Sequence, residues 1–203
     1  MTPLPRRALL LGLIATTSGC ATLSALDDAA RVLPTFELAP PAGRTGARQA
    51  VALVVPPPAA PASVSTDRIL VKPDPLSVTY LPEARWSQEA PLLLQSLVVR
   101  SIAGTDRIAH VGTPESGPVP DYALLVRIDA FQAEPVPDRP NIPVRVALGA
   151  TLVRDSDQRI VATEGFARTA LAASDRPAAI VAAFQEAVAS LLPALADWAA
   201  DRV

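Results

Sequence analysis

Two stretches decide the fold: Tyr122-Ala-Leu-Leu-Val-Arg-Ile-Asp-Ala-Phe-Gln132 and Val144-Arg-Val-Ala-Leu-Gly-Ala-Thr-Leu-Val-Arg154. In the first, Tyr122, Leu124, Val126, Ile128 and Ala130 point one way while Arg127 and Asp129 point the other. In the second, Val144, Val146, Leu148, Ala150 and Leu152 form an apolar face backed by Arg145 and Thr151. A period of two is the side-chain period of an extended strand with one buried face. Ile160 to Thr169 follows after the turn Asp155-Ser-Asp-Gln158. The three segments predict an antiparallel meander with one face against helices and the other wetter.

Two helical patterns flank the meander. Before it, Leu94, Leu97, Val98, Ser101 and Ile102 recur at three- and four-residue steps, with Ser87 placed to cap, Pro91 in the first turn and Gly104 to end the helix. After it, Ile180, Phe184, Val188, Leu191, Leu195 and Trp198 make a second stripe, capped by Ser174 or Asp175. Pro193 removes a backbone donor inside that stripe and predicts a kink or break near 189–193. Further upstream, Val51 to Val55 is a continuous apolar run fitting a central strand. Arg68 to Lys72 and Leu76 to Tyr80 form a hairpin across Pro73-Asp-Pro75, and Arg107 to Val111 is a short strand. The expected fold class is α+β: a two-layer sandwich, an antiparallel sheet with two main helices packed on one face.

The N-terminus tells a different story. Arg6 and Arg7 precede a short apolar core from Ala8 to Ala15, then Thr16-Thr-Ser-Gly19 and Cys20, the only cysteine. The core is shorter than the roughly 20 residues that span a bilayer, so it reads as a removable export signal. A lone thiol makes no internal disulfide. The string resembles the lipobox of bacterial lipoproteins, with Thr17 where leucine is usual. The resemblance implies that Cys20 becomes the lipidated first residue, carrying diacylglycerol and an N-acyl chain. Two or three chains anchor stably where one holds marginally. Ala21, rather than Asp, favours the outer membrane. The expected organisation is a signal at 1–19, a lipidated tether at 20–48 able to reach about 90 Å at roughly 3.3 Å per residue, and a periplasmic domain at 49–203.

Removing residues 1–19 leaves 184 of 203 residues, enough for one domain with a real core. The 18 bases fall to 16 against 20 acids, a net charge of −4. With one lysine, scattered arginines and no basic face interleaved with aromatics, no nucleic-acid partner is expected. Of the 22 prolines, clusters at 56–61 and 135–143 mark a stiff spacer and a constrained loop.

Sites of chemistry are sparse. His110 is the single imidazole, unaccompanied by a Gly-x-Ser-x-Gly elbow, and reads as a strand-end residue. One histidine and one lipidated cysteine leave only carboxylates for a metal, and none is expected. Asp27-Asp28 lies in the tether; Asp155 and Asp157 are turn residues. Trp86 reads as a staple against the following helix and Trp198 as core. No catalytic residue and no cofactor beyond the Cys20 lipid is expected.

Thr35-Phe-Glu-Leu38, Thr66-Asp-Arg-Ile-Leu-Val-Lys72, Tyr80-Leu-Pro-Glu-Ala-Arg-Trp86, Leu92-Leu-Leu-Gln-Ser-Leu97 and Asp121-Tyr-Ala-Leu-Leu-Val-Arg-Ile128 together resemble the ABC-type transport auxiliary lipoproteins. The resemblance implies a non-catalytic, outer-membrane-tethered periplasmic partner of an ABC transporter with a mammalian-cell-entry (MCE) component, moving lipids between membranes. It marks Asp67, Arg68, Tyr80, Arg85 and Trp86 as a partner-binding or fold-defining segment. The alternative is that Asp67-Arg68 merely starts a strand and Trp86 plugs the core. Assembly with copies of itself stays open. Two other functions compete: a lipid carrier with an apolar cleft between the layers, and a hydrolase built on Ser87 or Ser101 with His110.

Overall fold

A computed structural model describes residues 33–115 and 117–203. The strands are β1 (Thr35–Phe36), β2 (Gln49–Val54), β3 (Arg68–Val71), β4 (Thr79–Trp86), β5 (Ile108–Gly112), β6 (Tyr122–Ala133), β7 (Ile142–Arg154) and β8 (Arg159–Ala172). The helices are α1 (Ala90–Ala103), between β4 and β5, and α2 (Pro177–Ala200), after β8. Cys20 and Asp27-Asp28 lie outside the described residues.

The meander forms as its alternation predicts. β6, β7 and β8 pair antiparallel along nearly their whole length, from Tyr122 opposite Arg154 to Ile142 opposite Ala172. Val144, Val146, Leu148, Ala150 and Leu152 are all buried. On the outward face Arg127 and Asp129 pair at 2.6 Å. In β6 the alternation holds only to Ile128. A bulge between Ile128 and Ala130 adds a residue, and beyond it Phe131 and Ala133 point inward.

The expected all-antiparallel sandwich is corrected. All eight strands form one mixed sheet curled into a half-barrel. β6 is long enough for its second edge to serve two shorter strands. Leu53–Val54 of β2 run parallel to Tyr122–Ala123, Val71 of β3 pairs parallel with Ala133, and Ala59 bridges Arg127 between them. β2 also pairs parallel with β5, and β1 with β4. Parallel neighbours need a long crossover, here supplied by the β3–β4–α1 passage between β2 and β5.

Three local readings also change. The second strand of the hairpin is Thr79–Trp86, not Leu76–Tyr80, because the amides of Leu76 and Ser77 donate to Asp74 Oδ1 and are spent on the turn. α1 is preceded by Glu89 and α2 by Arg176, rather than by Ser87 and Ser174 or Asp175; the Ser87 amide donates instead to the Phe36 carbonyl. α2 runs unbroken through Pro193, flanked by the buried side chains of Leu191, Leu192 and Leu195. By length and composition α2 would cross a membrane, yet it lies against β7, β8 and α1 as the core helix.

The folded unit begins at Pro34, earlier than the expected boundary. Residues 34–48, read as the last part of a tether, lie along the domain. Leu38 is buried, Gln185 exchanges hydrogen bonds with the Ala39 backbone at 2.7 and 3.2 Å, and Arg44 binds Asp197. Gly43 lets the backbone come close to α2: a Cβ there would stand 2.7 Å from Asp197 Oδ1, so that carboxylate would have to shift.

Candidate functional site

The segment singled out in the sequence gathers where β1, β3 and β4 meet. Asp67 immediately precedes β3 and Trp86 ends β4; the Trp86 amide donates to the Asp67 carbonyl at 2.7 Å. Arg85 reaches back across the same pair, its Nη1 3.8 Å from Asp67 Oδ2, with both side chains close to half exposed. Its Nε donates to Thr35 Oγ1 at 3.4 Å and its amide to the Pro34 carbonyl at 3.1 Å. Thr35, Thr66, Asp67, Arg85, Gln88 and Glu89 border an open depression of about 460 Å³. A half-exposed ion pair of this kind adds at most about 1 kcal/mol to stability.

The other three residues of the segment part ways. Arg68 lies over the Tyr80 ring at 5.7 Å, and the Tyr80 hydroxyl donates to the Ser63 carbonyl at 3.3 Å. Trp86 is buried. Its ring stands 5.5 Å from Phe131 and 5.1 Å from Phe184, which are themselves 4.7 Å apart. Strand start and core plug, the alternative reading, describe Arg68 and Trp86 well; Asp67 and Arg85 remain on the surface.

The competing chemistries find little geometry. A serine hydrolase needs a nucleophile hydrogen-bonded to its base. Ser101 Oγ and His110 Nε2 are both buried without a partner, and the Ser87 amide serves the β1 junction. Among the described residues no three His, Cys, Asp or Glu side chains gather to hold a metal. Between the layers Trp86, Phe131 and Phe184 pack ring to ring and are all buried.

One feature escaped the sequence reading. The turn Pro73-Asp-Pro75 and the loop beginning Pro135-Val-Pro137 come side by side at one end of the sheet and wall a groove of about 600 Å³. Each proline cluster is visible in the sequence, but their adjacency follows from the parallel β3–β6 pairing, which alternation does not encode.

A family model described as the ABC-type transport auxiliary lipoprotein component matches residues 33–196. The chain belongs to that family. This member is also similar to solved structures. A Xanthomonas campestris protein assigned to family DUF330 is 26% identical over 81% of this chain and 93% of its own, with a TM-score of 0.73. An uncharacterized protein at 13% identity covers 83% of this chain and 99% of its own, with a TM-score of 0.63, and shows the shared fold. No curated protein matches. The family is described as an auxiliary component of ABC-type transport.

Proposed function

We propose that this auxiliary lipoprotein is anchored in the outer membrane through lipid on Cys20, faces the periplasm, and docks without catalysis on the MCE component of an ABC system that moves lipid between membranes. The observation that carries the reading is the family match over residues 33–196, which opens with the folded unit and leaves the lipobox-like string N-terminal to it.

The mechanism is positional. After cleavage, residues 21–33 separate the acyl chains from the folded unit by at most about 43 Å at roughly 3.3 Å per residue. Confinement to that shell raises the effective concentration of the domain toward a partner assembly reaching the same membrane, adding avidity without new contacts. The Asp67–Arg85 surface, beside the point where the chain joins the domain, supplies polar recognition of that partner.

The test is affinity capture of the tagged full chain from its native membranes, with Cys20→Ser in parallel. The reading expects an MCE protein in the eluate, and mass spectrometry that finds acylated Cys20 at the mature N-terminus. Unmodified Cys20 with the leader retained, or wild-type outer-membrane fractionation of Cys20→Ser, would overturn the anchoring. Capture without any MCE protein would overturn the partner.

A further inference from the structure

The proline-walled groove has an asymmetric chemistry. Its walls include Pro73, Pro75, Pro135, Val136 and Pro137, and prolines carry no N–H. An extended peptide laid there would leave its carbonyls short of donors; a hydrocarbon has none to satisfy.

The charges lining the groove are committed unequally. Asp74 Oδ1 accepts the amides of Leu76 and Ser77 at 2.8 and 2.9 Å. Its carboxyl is held below the usual range chiefly by Ser77 and then Leu76, with Lys72 the weakest contributor. Glu134 Oε1 accepts from Gln132 Nε2 at 2.6 Å. The two cations are uncommitted: among the described residues neither the Lys72 ammonium nor the Arg145 guanidinium makes an ion pair or side-chain hydrogen bond. Lys72 directly follows β3 and Arg145 lies on β7, on opposite sides of β6, so they stand roughly 10 Å apart across the sheet.

We infer that this groove binds an anionic phospholipid, its phosphate held between Lys72 and Arg145 and the first part of one acyl chain laid along the prolines and Val136. The volume, about 600 Å³, falls within the range of ligand pockets. The site also lies at the Thr79 end of β4, whereas β1 brings the chain in at the Arg85 end. β3 spans these two ends in three residue steps, from Arg68 opposite Arg85 to Val71 opposite Thr79, so roughly 10 Å at about 3.3 Å per step separates the groove from the N-terminal junction. Lipid therefore contacts this protein at the rim of the sheet, not between its layers. The inference goes beyond the docking role proposed above and stands without it.

The test titrates fluorescent lysophosphatidylglycerol, below its micelle threshold, into the purified full chain without partner proteins. Saturable binding is expected, with lysophosphatidylcholine about tenfold weaker. The double variant Lys72→Glu/Arg145→Glu is expected to weaken it at least tenfold. Val136→Asp, which leaves both cations in place, should do the same, while the remote Arg159→Ala binds like wild type. The inference is overturned if binding is not saturable, or if both groove variants bind like wild type. It is equally overturned if inorganic phosphate or a poly-glutamate peptide displaces the probe at the concentration at which unlabelled lysolipid does.

Discussion

Trp86 meets Phe184 edge to face, ring centroids 5.1 Å apart at 89°, and so ties the end of β4 to the N-terminal half of α2. With Phe131 completing the cluster, one side chain connects β4, β6 and the core helix. Removing it leaves a cavity among surfaces that cannot collapse independently. Trp86→Ala is expected to cost about 3–5 kcal/mol, read as a lowered urea midpoint. Trp86→Phe keeps an aromatic contact and recovers part of the loss. A loss below about 1 kcal/mol for the alanine variant would show that the cluster is not a structural centre.

Glycine at 117 is fixed by its neighbour. Its φ is +114°, and a Cβ there would lie 2.1 Å from Nε2 of His110. Gly165, in β8, has nothing within 4 Å of the corresponding position. Gly117→Ala is expected to destabilise by about 1–3 kcal/mol through strain and displacement of the imidazole. Gly165→Ala should be neutral or stabilise by about 0.5 kcal/mol, since it removes only unfolded-state freedom. Thermal unfolding of the two variants side by side checks the contrast; equal effects would sink it.

The C-terminal end of α2 carries Asp197 and Asp201, the wrong sign for a helix C-terminus. Arg44 and Arg107 neutralise them, with Arg107 bonded directly to Asp201 and Arg44 Nε 3.0 Å from Asp197. The Asp201 carboxyl is held below its ordinary value of 3.8, first by the hydrogen bond from Arg107 and also by the charges of Arg107, Arg44 and Arg202, against some desolvation. A carboxyl depressed in the folded state adds stability above its unfolded pKa, and that stability is lost as pH falls through the folded value. The urea midpoint is therefore expected to drop as pH is lowered below about 4. Arg107→Ala should lower the midpoint at neutral pH and flatten this acid-side decline. An unchanged acid slope in Arg107→Ala would refute the assignment.

What the chain discloses about its fold depends on how local the determining physics is. The β6–β7–β8 meander is legible because each inward side chain from Val144 to Leu152 repeats every two residues and turn residues mark both joins, a proline-rich loop at 134–141 and a four-residue turn at 155–158. The bulge after Ile128 is not, since Ala130 and Phe131 are both apolar and either could face inward. β1 has two residues, too few to show any period, and its place beside β4 depends on Arg85 and Trp86 some 50 positions away in sequence. The parallel joins at Leu53–Val54 and at Val71 leave no trace either, because alternation gives a strand's faces and not its direction. Of the marked segment, the aromatic character of Trp86 pointed to the core, whereas nothing local distinguishes Asp67 as paired. Only the hairpin bringing Arg85 back across β3 does that.

That pairing yields the prediction closest to function. Asp67 and Arg85 are 3.8 Å apart and half exposed, so reversing one charge changes stability by less than about 1 kcal/mol. A recognition surface responds differently, because a like-charge contact with a partner costs more than a lost surface pair saves. Asp67→Lys and Arg85→Glu are each expected to reduce capture of the proposed MCE partner at least tenfold while the urea midpoint barely moves. The double exchange Asp67→Arg/Arg85→Asp restores the internal pair but places each charge against the wrong group of the partner, so capture should stay low. Recovery of capture in the double exchange would assign the pair to joining β3 and β4, and loss of stability in step with capture in the single variants would lead to the same conclusion.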